Sequence, residues 1–138
     1  MDLNKAKQLL ETGGHTCVLC RDTQVITSDR RGVAPLMALW EQGADCAGFS
    51  AADKVVGKAT ALLYCLLGVS AVYGKVMSRP ALQVLTENGI SATYGQLVDA
   101  IINRAGTGLC PMETATRHIS DPAHAPAAIA QALANLQS

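Results

Sequence analysis

The chain has 138 residues, 49% of them hydrophobic, which predicts one domain with a buried core over residues 1–138. Eleven Lys and Arg residues balance eleven Asp and Glu residues, which excludes a whole-molecule field that would attract a nucleic-acid polymer or a membrane. The most apolar stretch, residues 59–73, is shorter than the roughly 18 residues that span a bilayer, and no apolar signal segment follows Met1, so we expect a soluble cytoplasmic protein.

The first third of the chain predicts a helix, a hairpin and a second helix. Apolar residues at helical spacing indicate a helix over residues 3–12, which a glycine pair ends. β-branched and apolar residues indicate strands over residues 15–20 and 24–28, joined by a polar turn. A proline at position 35 suits the first turn of a helix that runs to residue 43.

The stretch over residues 50–67 begins polar and becomes apolar on nearly every side, which is typical of a helix buried by its neighbours. Its first residue, Ser50, is followed three positions later by Asp53, which resembles a capping box and places a carboxylate at the helix N-terminus. Gly57 would lie inside this helix, where glycine lowers helix stability by roughly 1 kcal/mol relative to Ala. We therefore expect another group to approach closely beside Asp53.

The charged residues of this predicted central helix form the first candidate site. Lys54 and Lys58 lie at i and i+4, where like charges repel and where cations also oppose the dipole of a helix N-terminus. Local stability does not explain this pair, whereas an anion or a carboxylate partner would. The alternative is a solvated face on which Asp53 caps the helix and both lysines reach water.

The second half of the chain alternates strands with helices. The predicted elements are a strand over 69–76, a helix over 81–87 capped by Ser78, a strand over 90–94, a short helix or turn over 97–102, a helix over 111–118 and a final helix from Pro126. Strands that alternate with helices predict a mixed sheet sandwiched by helices.

The polar loop over residues 103–113 is the second candidate site. Cys110 precedes Pro111, a favoured first residue of a helix, and a thiol at a helix N-terminus can be activated as a nucleophile. The free N–H groups there could instead bind a phosphate, with Arg104 close by. The simplest interpretation is a tight loop with Cys110 in the core, because His118 lies two turns further along the helix, too far to act as its base.

Five cysteines, an odd number in mostly apolar contexts, predict reduced thiols. Cys17 and Cys20 have the spacing of a zinc or redox pair, but residues three apart on a strand point to opposite faces. No second pair follows to complete four ligands. We therefore expect buried structural cysteines and no metal site.

Three phrases, over residues 52–59, 79–82 and 102–113, together resemble a small prokaryotic family of unknown function whose members are similar in fold to cytidine deaminases. The resemblance covers the chain from the first helix to about His118. It implies a three-layer α/β/α sandwich with a mixed sheet.

The resemblance also implies where a zinc deaminase would hold its metal. Such an enzyme carries a His or Cys two residues before a catalytic Glu at the start of the central helix, and Pro-Cys-x-x-Cys at the start of the next. The corresponding places here are residues 51–53, which read Ala-Ala-Asp, and residues 79–82, which read Arg-Pro-Ala-Leu. Since neither place offers a thiol or an imidazole, we do not expect zinc-dependent deamination.

These observations predict a zinc-less deaminase-like domain that binds a small anionic ligand such as a nucleotide, without a cofactor, in the degenerate cleft. The candidates for catalysis are Asp53 and Cys110, and the predicted ligand-binding residues are Ser50, Asp53, Lys54, Lys58, Asn103, Arg104, Cys110 and Glu113. The alternative is a structural or interaction domain in which the charged residues form salt bridges at a subunit interface. A homo-oligomer is expected.

Overall fold

The computed structural model describes residues 2–103 and 105–137. Its elements are α1 (Asp2–Gly13), β1 (Cys17–Arg21), β2 (Gln24–Ser28), α2 (Ala34–Glu41), β3 (Ser50–Val56), α3 (Lys58–Leu67), β4 (Ala71–Ser78), α4 (Arg79–Glu87), β5 (Ser91–Val98), α5 (Pro111–Thr116), a 3-10 turn (Pro122–His124) and α6 (Ala125–Gln137). No helix within the described residues is long and apolar enough to cross a lipid bilayer.

The strands form one open, mixed sheet in the order β2-β1-β3-β4-β5. β1 is antiparallel to both β2 and β3, whereas β3, β4 and β5 are parallel to one another. The predicted hairpin is confirmed, and its turn is made by two residues between the paired Arg21 and Gln24. Asp22 takes a φ of 54° there, a conformation that Asp tolerates better than most side chains.

Helices cover both faces of the sheet, which confirms the predicted mixed α/β arrangement. On the α1 face, the helix packs on a small cluster made by Ala6, Leu10, Val18, Cys20, Ala52 and Tyr73. The opposite face, called here the α3 face, carries the larger core, to which the sheet contributes Cys17, Leu19, Ala51, Val56, Val72 and Met77. α3 lies at the centre of that core, in contact with α2, α4, α5 and α6.

The structure differs from the sequence prediction over residues 50–56, which form β3 and not the first turns of the central helix. The helix begins at Lys58, after Gly57. Ser50 therefore caps nothing and pairs with Cys20 and Ala71 in neighbouring strands. The segment contains two Ala residues, which favour a helix, and ends in two Val residues, which favour a strand. A position between two strands satisfies its backbone hydrogen bonds on both sides and overrides the helix propensity of its first half.

The short helix or turn expected over 97–102 is wrong, because residues 97–98 belong to β5 and Ile102 forms an isolated β-bridge with Leu109. The other differences concern element ends. β5 extends to Val98 and so includes the first two residues of the helix or turn expected over 97–102. α5 ends at Thr116, two residues earlier than expected. The predicted cap of α4 is confirmed, because the backbone N–H of Ala81 donates to the Ser78 hydroxyl at 3.2 Å.

Candidate functional site

A cleft of about 940 Å³ opens on the α3 face at the carboxyl end of β3. Its walls come from the second half of β3, the first turn of α3, the start of α5, the end of α6 and two loops, over residues 29–34 and 101–103. Clefts at the carboxyl ends of parallel strands are the usual position of ligand sites in open α/β sheets.

The cleft brings together five of the eight residues predicted to bind a ligand, namely Asp53, Lys54, Asn103, Cys110 and Glu113. Ser50 lies at the opposite end of β3, away from the cleft. Arg104 lies outside the described residues.

Lys58 is not part of the cleft lining, although it begins the helix that forms one wall. Its side-chain Nζ donates to the backbone carbonyl of Arg117 at 3.0 Å, just after the end of α5. A lysine at this place is favoured by the negative end of the α5 dipole. Because Lys54 belongs to β3, the two lysines do not share a helix edge as the sequence prediction required.

The N-terminus of α3 is capped by a side chain from α5. Gly57 occupies the N-cap position but has no side chain to cap with, and Glu113 Oε1 instead accepts the backbone N–H of Lys58 at 2.7 Å. A Cβ on Gly57 would overlap that carboxylate oxygen. Glu113 is thus the group that approaches Gly57, and burial raises the pKa of its carboxyl.

Asp53 reaches α3 through a buried hydrogen-bond chain. The hydroxyl of Tyr64 donates to Asp53 Oδ2 at 2.8 Å, and the Cys17 thiol lies 3.3 Å from the same hydroxyl. Since the single hydroxyl hydrogen is given to the carboxylate, the thiol is the donor to Tyr64. Burial raises the pKa of Asp53 to about 7, and it also raises the pKa of Tyr64 and of Cys17 well above their ordinary values.

Tyr64 was not anticipated as a site residue, because it lies in an almost wholly apolar helix and nothing in the sequence links it to Asp53. The loop after β2 supplies two further charged residues that sequence reasoning missed, Asp29 and Arg31. Asp29 Oδ1 lies 2.8 Å from His15 Nδ1. Among the described residues, the cleft lining therefore includes three acidic residues and two basic ones. The acidic residues are Asp29, Asp53 and Glu113, and the basic residues are Arg31 and Lys54.

Cys110 is half-buried, lines the cleft and precedes the first residue of α5, without a side-chain capping bond. The prediction that Cys17 and Cys20 point to opposite faces of the sheet is confirmed, since Cys17 belongs to the α3 face and Cys20 to the α1 face. All five thiols are free. Within the part of the chain that the structure describes, no three His, Cys, Asp or Glu side chains are grouped as metal ligands.

Residues 51–53, compared above with the first zinc-ligand position of a deaminase, lie within β3, and α3 begins at Lys58 after Gly57. Residues 79–82, compared with the second position, lie at the start of α4. Neither segment contains a thiol or an imidazole.

The fold and the cleft define an α/β domain with an open mixed sheet and a ligand-sized crevice beside its central helix. A family model described as a domain of unknown function (DUF1893) matches residues 5–133, and the chain belongs to that family. This confirms the predicted membership of a family of unknown function.

A solved structure shares the fold. It is a DUF1893 family protein (TM1506) from Thermotoga maritima, with a TM-score of 0.85 and 24% sequence identity, over 94% of this chain and 88% of that chain. At this identity the similarity shows the fold alone. Among curated proteins, none matches the sequence.

Proposed function

We propose that the domain binds a small molecule that carries an anionic group, in a cleft of cytidine deaminase-like architecture without the zinc ligands. The observation that carries this proposal is the cleft itself. Its volume of about 940 Å³ falls within the range typical of small-molecule sites. It collects Asp53, Lys54, Asn103, Cys110 and Glu113 from three separate parts of the chain.

The architecture supports the deaminase-like assignment in two respects. A mixed sheet lies between helices on both faces, and α3 and α4 each follow directly after a parallel strand. The residues at the starts of those two helices cannot replace the thiols and imidazole of a deaminase. Binding, or chemistry without zinc, is therefore favoured over hydrolytic deamination.

The charges and walls of the cleft support a ligand with an anionic group and an apolar body. No acidic side chain within the described residues lies within 4 Å of the cationic ends of Lys54 or Arg31. Arg31 lines the cleft and remains available to meet an anion, whereas Lys54 borders both the cleft and a smaller cavity that it shares with Tyr73 and Lys75. Between them and the sheet the walls are largely apolar, with Val33, Ile101 and Met112 among the contributors.

Nucleotides and phosphorylated metabolites are expected to raise the melting temperature of the wild-type protein in a thermal-shift screen. A ligand at about 100 times its dissociation constant stabilises the folded state by about 2.7 kcal/mol. The gain should fall in Lys54→Ala and in Arg31→Ala. The matched control is Lys75→Ala, because Lys75 shares the smaller cavity with Lys54 but does not line the cleft.

Two results would contradict the proposed cleft. One is a ligand whose stabilisation survives in Lys54→Ala and Arg31→Ala. The other is an equal loss in Lys75→Ala, which would indicate general attraction to positive charge.

A second function, as a self-associating interaction domain, is favoured by β5. This edge strand has eight residues, none of them charged, and most of its side chains are exposed. The backbone N–H of Ser91 donates to Ser70 O, so alternate residues from Ser91 onward face β4. The intervening positions, including Tyr94 and Gln96, direct their backbone groups outward, where a strand of a second copy can pair antiparallel without charge repulsion.

Gln96→Lys is expected to convert a dimer formed through β5 into a monomer, because it places like charges near the two-fold axis. Sedimentation velocity over a range of protein concentrations measures the change. Gln83→Lys, an exposed position on α4, adds the same charge away from β5 and should leave association unaltered. A wild-type protein that stays monomeric, or a dimer that Gln96→Lys leaves intact, would count against this second function.

A further inference from the structure

Asp53 is a buried carboxyl group that the protein stabilises incompletely. Its side chain is 7% exposed and lines the cleft. The Tyr64 hydroxyl and the backbone N–H of Val55 donate to it, at 2.8 and 3.3 Å, and the backbone of Lys54 also favours its charged form. Burial outweighs these donors, because the pKa of Asp53 still rises to about 7.

No positive group within residues 2–103 and 105–137 offsets that burial. Within the described residues, no Lys, Arg or His side chain lies within 4 Å of the Asp53 carboxylate. The nearest titratable groups are Tyr64 and Cys17, both of which stay neutral at pH 7 because burial raises the pKa of each. An ionised carboxylate offers about four lone-pair positions. The donors from Tyr64, Val55 and Lys54 leave at least one position unused, and the side chain borders the cleft.

A second buried carboxyl stands further along the same wall. Glu113 Oε1 accepts the backbone N–H of Lys58, while burial raises the pKa of this side chain too. Tyr64, the partner of Asp53, lies six residues beyond Lys58 on α3, which is about 9 Å along a helix axis. The inner wall thus presents acceptors and carboxyl groups, whereas the unpaired cations Lys54 and Arg31 are the groups suited to an anion.

We propose that the ligand of this cleft carries, besides its anionic group, an aliphatic ammonium group that donates to Asp53. This inference rests on the proposed function and names the ligand class, an amine joined by a short apolar spacer to a phosphate or carboxylate. A primary ammonium has three donors and a positive charge. It supplies the positive charge that the buried carboxylate lacks, together with a further donor.

Proton release on binding is a necessary consequence. An alkyl ammonium is already protonated at pH 7, since its pKa is close to the value of about 10.4 for Lys. A positive charge beside Asp53 favours the ionised carboxylate. With a pKa of about 7, roughly half of the Asp53 side chains hold a proton at that pH. Each binding event should therefore release a fraction of a proton near pH 7 and almost none at pH 9.

The test is titration calorimetry with ω-aminoalkyl phosphates of increasing spacer length, each compared with the alkyl phosphate that lacks the amine. Two buffers without primary amines and with different ionisation enthalpies report the protons released. We expect at least one amino compound to bind tenfold or more tightly than its amine-free counterpart, with release of protons. Asp53→Asn should lose both the preference for the amine and the proton release.

Tyr64→Phe provides a second variant that keeps the carboxyl group. Loss of the Tyr64 donor should raise the pKa of Asp53 further, so that more protons are released per ligand bound at pH 7. A merely structural role of Asp53 would not change the proton count in this way. The measurement also stands if Asp53→Asn does not fold.

Three outcomes would overturn the inference: equal binding of alkyl and aminoalkyl phosphates, amine-dependent binding without proton release, and no binding of any aminoalkyl phosphate. Each leaves the proposed function standing if another phosphorylated compound binds through Lys54 and Arg31. If no anionic compound binds at all, the proposed function fails as well.

Discussion

Gly57→Ala is expected to lower the free energy of unfolding by roughly 3 kcal/mol, the size of combined overpacking and loss of a buried charged hydrogen bond. The added methyl group would overlap Glu113 Oε1. The carboxylate must then move away from the backbone N–H of Lys58, which it now binds at 2.7 Å. Backbone strain is not the cause, since Gly57 has a φ of −95° that alanine adopts readily.

Chemical denaturation measures this effect, and Gly108→Ala is the matched control. A Cβ on Gly108 would meet nothing within 4 Å, and its φ lies outside the left-handed region. That variant should be neutral or slightly more stable, because alanine reduces the entropy of the unfolded chain.

A double-mutant cycle identifies Glu113 as the obstacle. In a Glu113→Ala background the methyl group at position 57 meets Ile101 Cγ1, at 3.1 Å, a contact that a shift of a few tenths of an ångström relieves. The further loss should then be about 1 kcal/mol, near the ordinary difference between Gly and Ala at an N-cap. Additive losses would show that Glu113 is not what requires glycine at this position.

The second large effect concerns the pH dependence of stability. The pKa of Asp53 is about 7 in the folded protein, against an ordinary value of 3.8. The folded state therefore binds more protons than the unfolded state between these values, so stability falls as pH rises from about 4 to 7. At about 1.36 kcal/mol for each pKa unit, the contribution of Asp53 to this fall is about 4 kcal/mol.

Asp53→Asn removes this titration and keeps an oxygen that can accept the Tyr64 hydroxyl. The free energy of unfolding of the variant should therefore increase relative to that of the wild-type protein as pH rises. Most of this change should occur between pH 4 and 7, and the difference between the two proteins should be constant above pH 8. Denaturant unfolding at intervals of pH measures it.

Asp99→Asn controls for the altered net charge, because the side chain of Asp99 is 93% exposed and solvent screens its 2.8 Å ion pair with Arg79. It should follow the wild-type profile. A difference between Asp53→Asn and wild type that does not vary with pH would contradict the raised pKa of Asp53.

Local sequence patterns were sufficient for the parts of this fold that are determined by neighbours in the chain. The hairpin, the serine cap of α4, the helix from Pro111 and the final helix each follow from side-chain periodicity or from a turn or capping residue within a few positions. The opposite directions of Cys17 and Cys20 follow equally from the two-residue period of a strand.

Only the tertiary structure decided the nature of residues 50–56 and the composition of the cleft. This segment is a strand because β1 and β4 pair with it on either side. Glu113 caps a helix 55 positions earlier in the chain, and Tyr64 meets Asp53 only because α3 folds back over β3. Periodicity reports which side of an element is buried, but not which distant group fills the space beside it. For that reason the sequence located the charged residues, and the packing of the chain determined their partners.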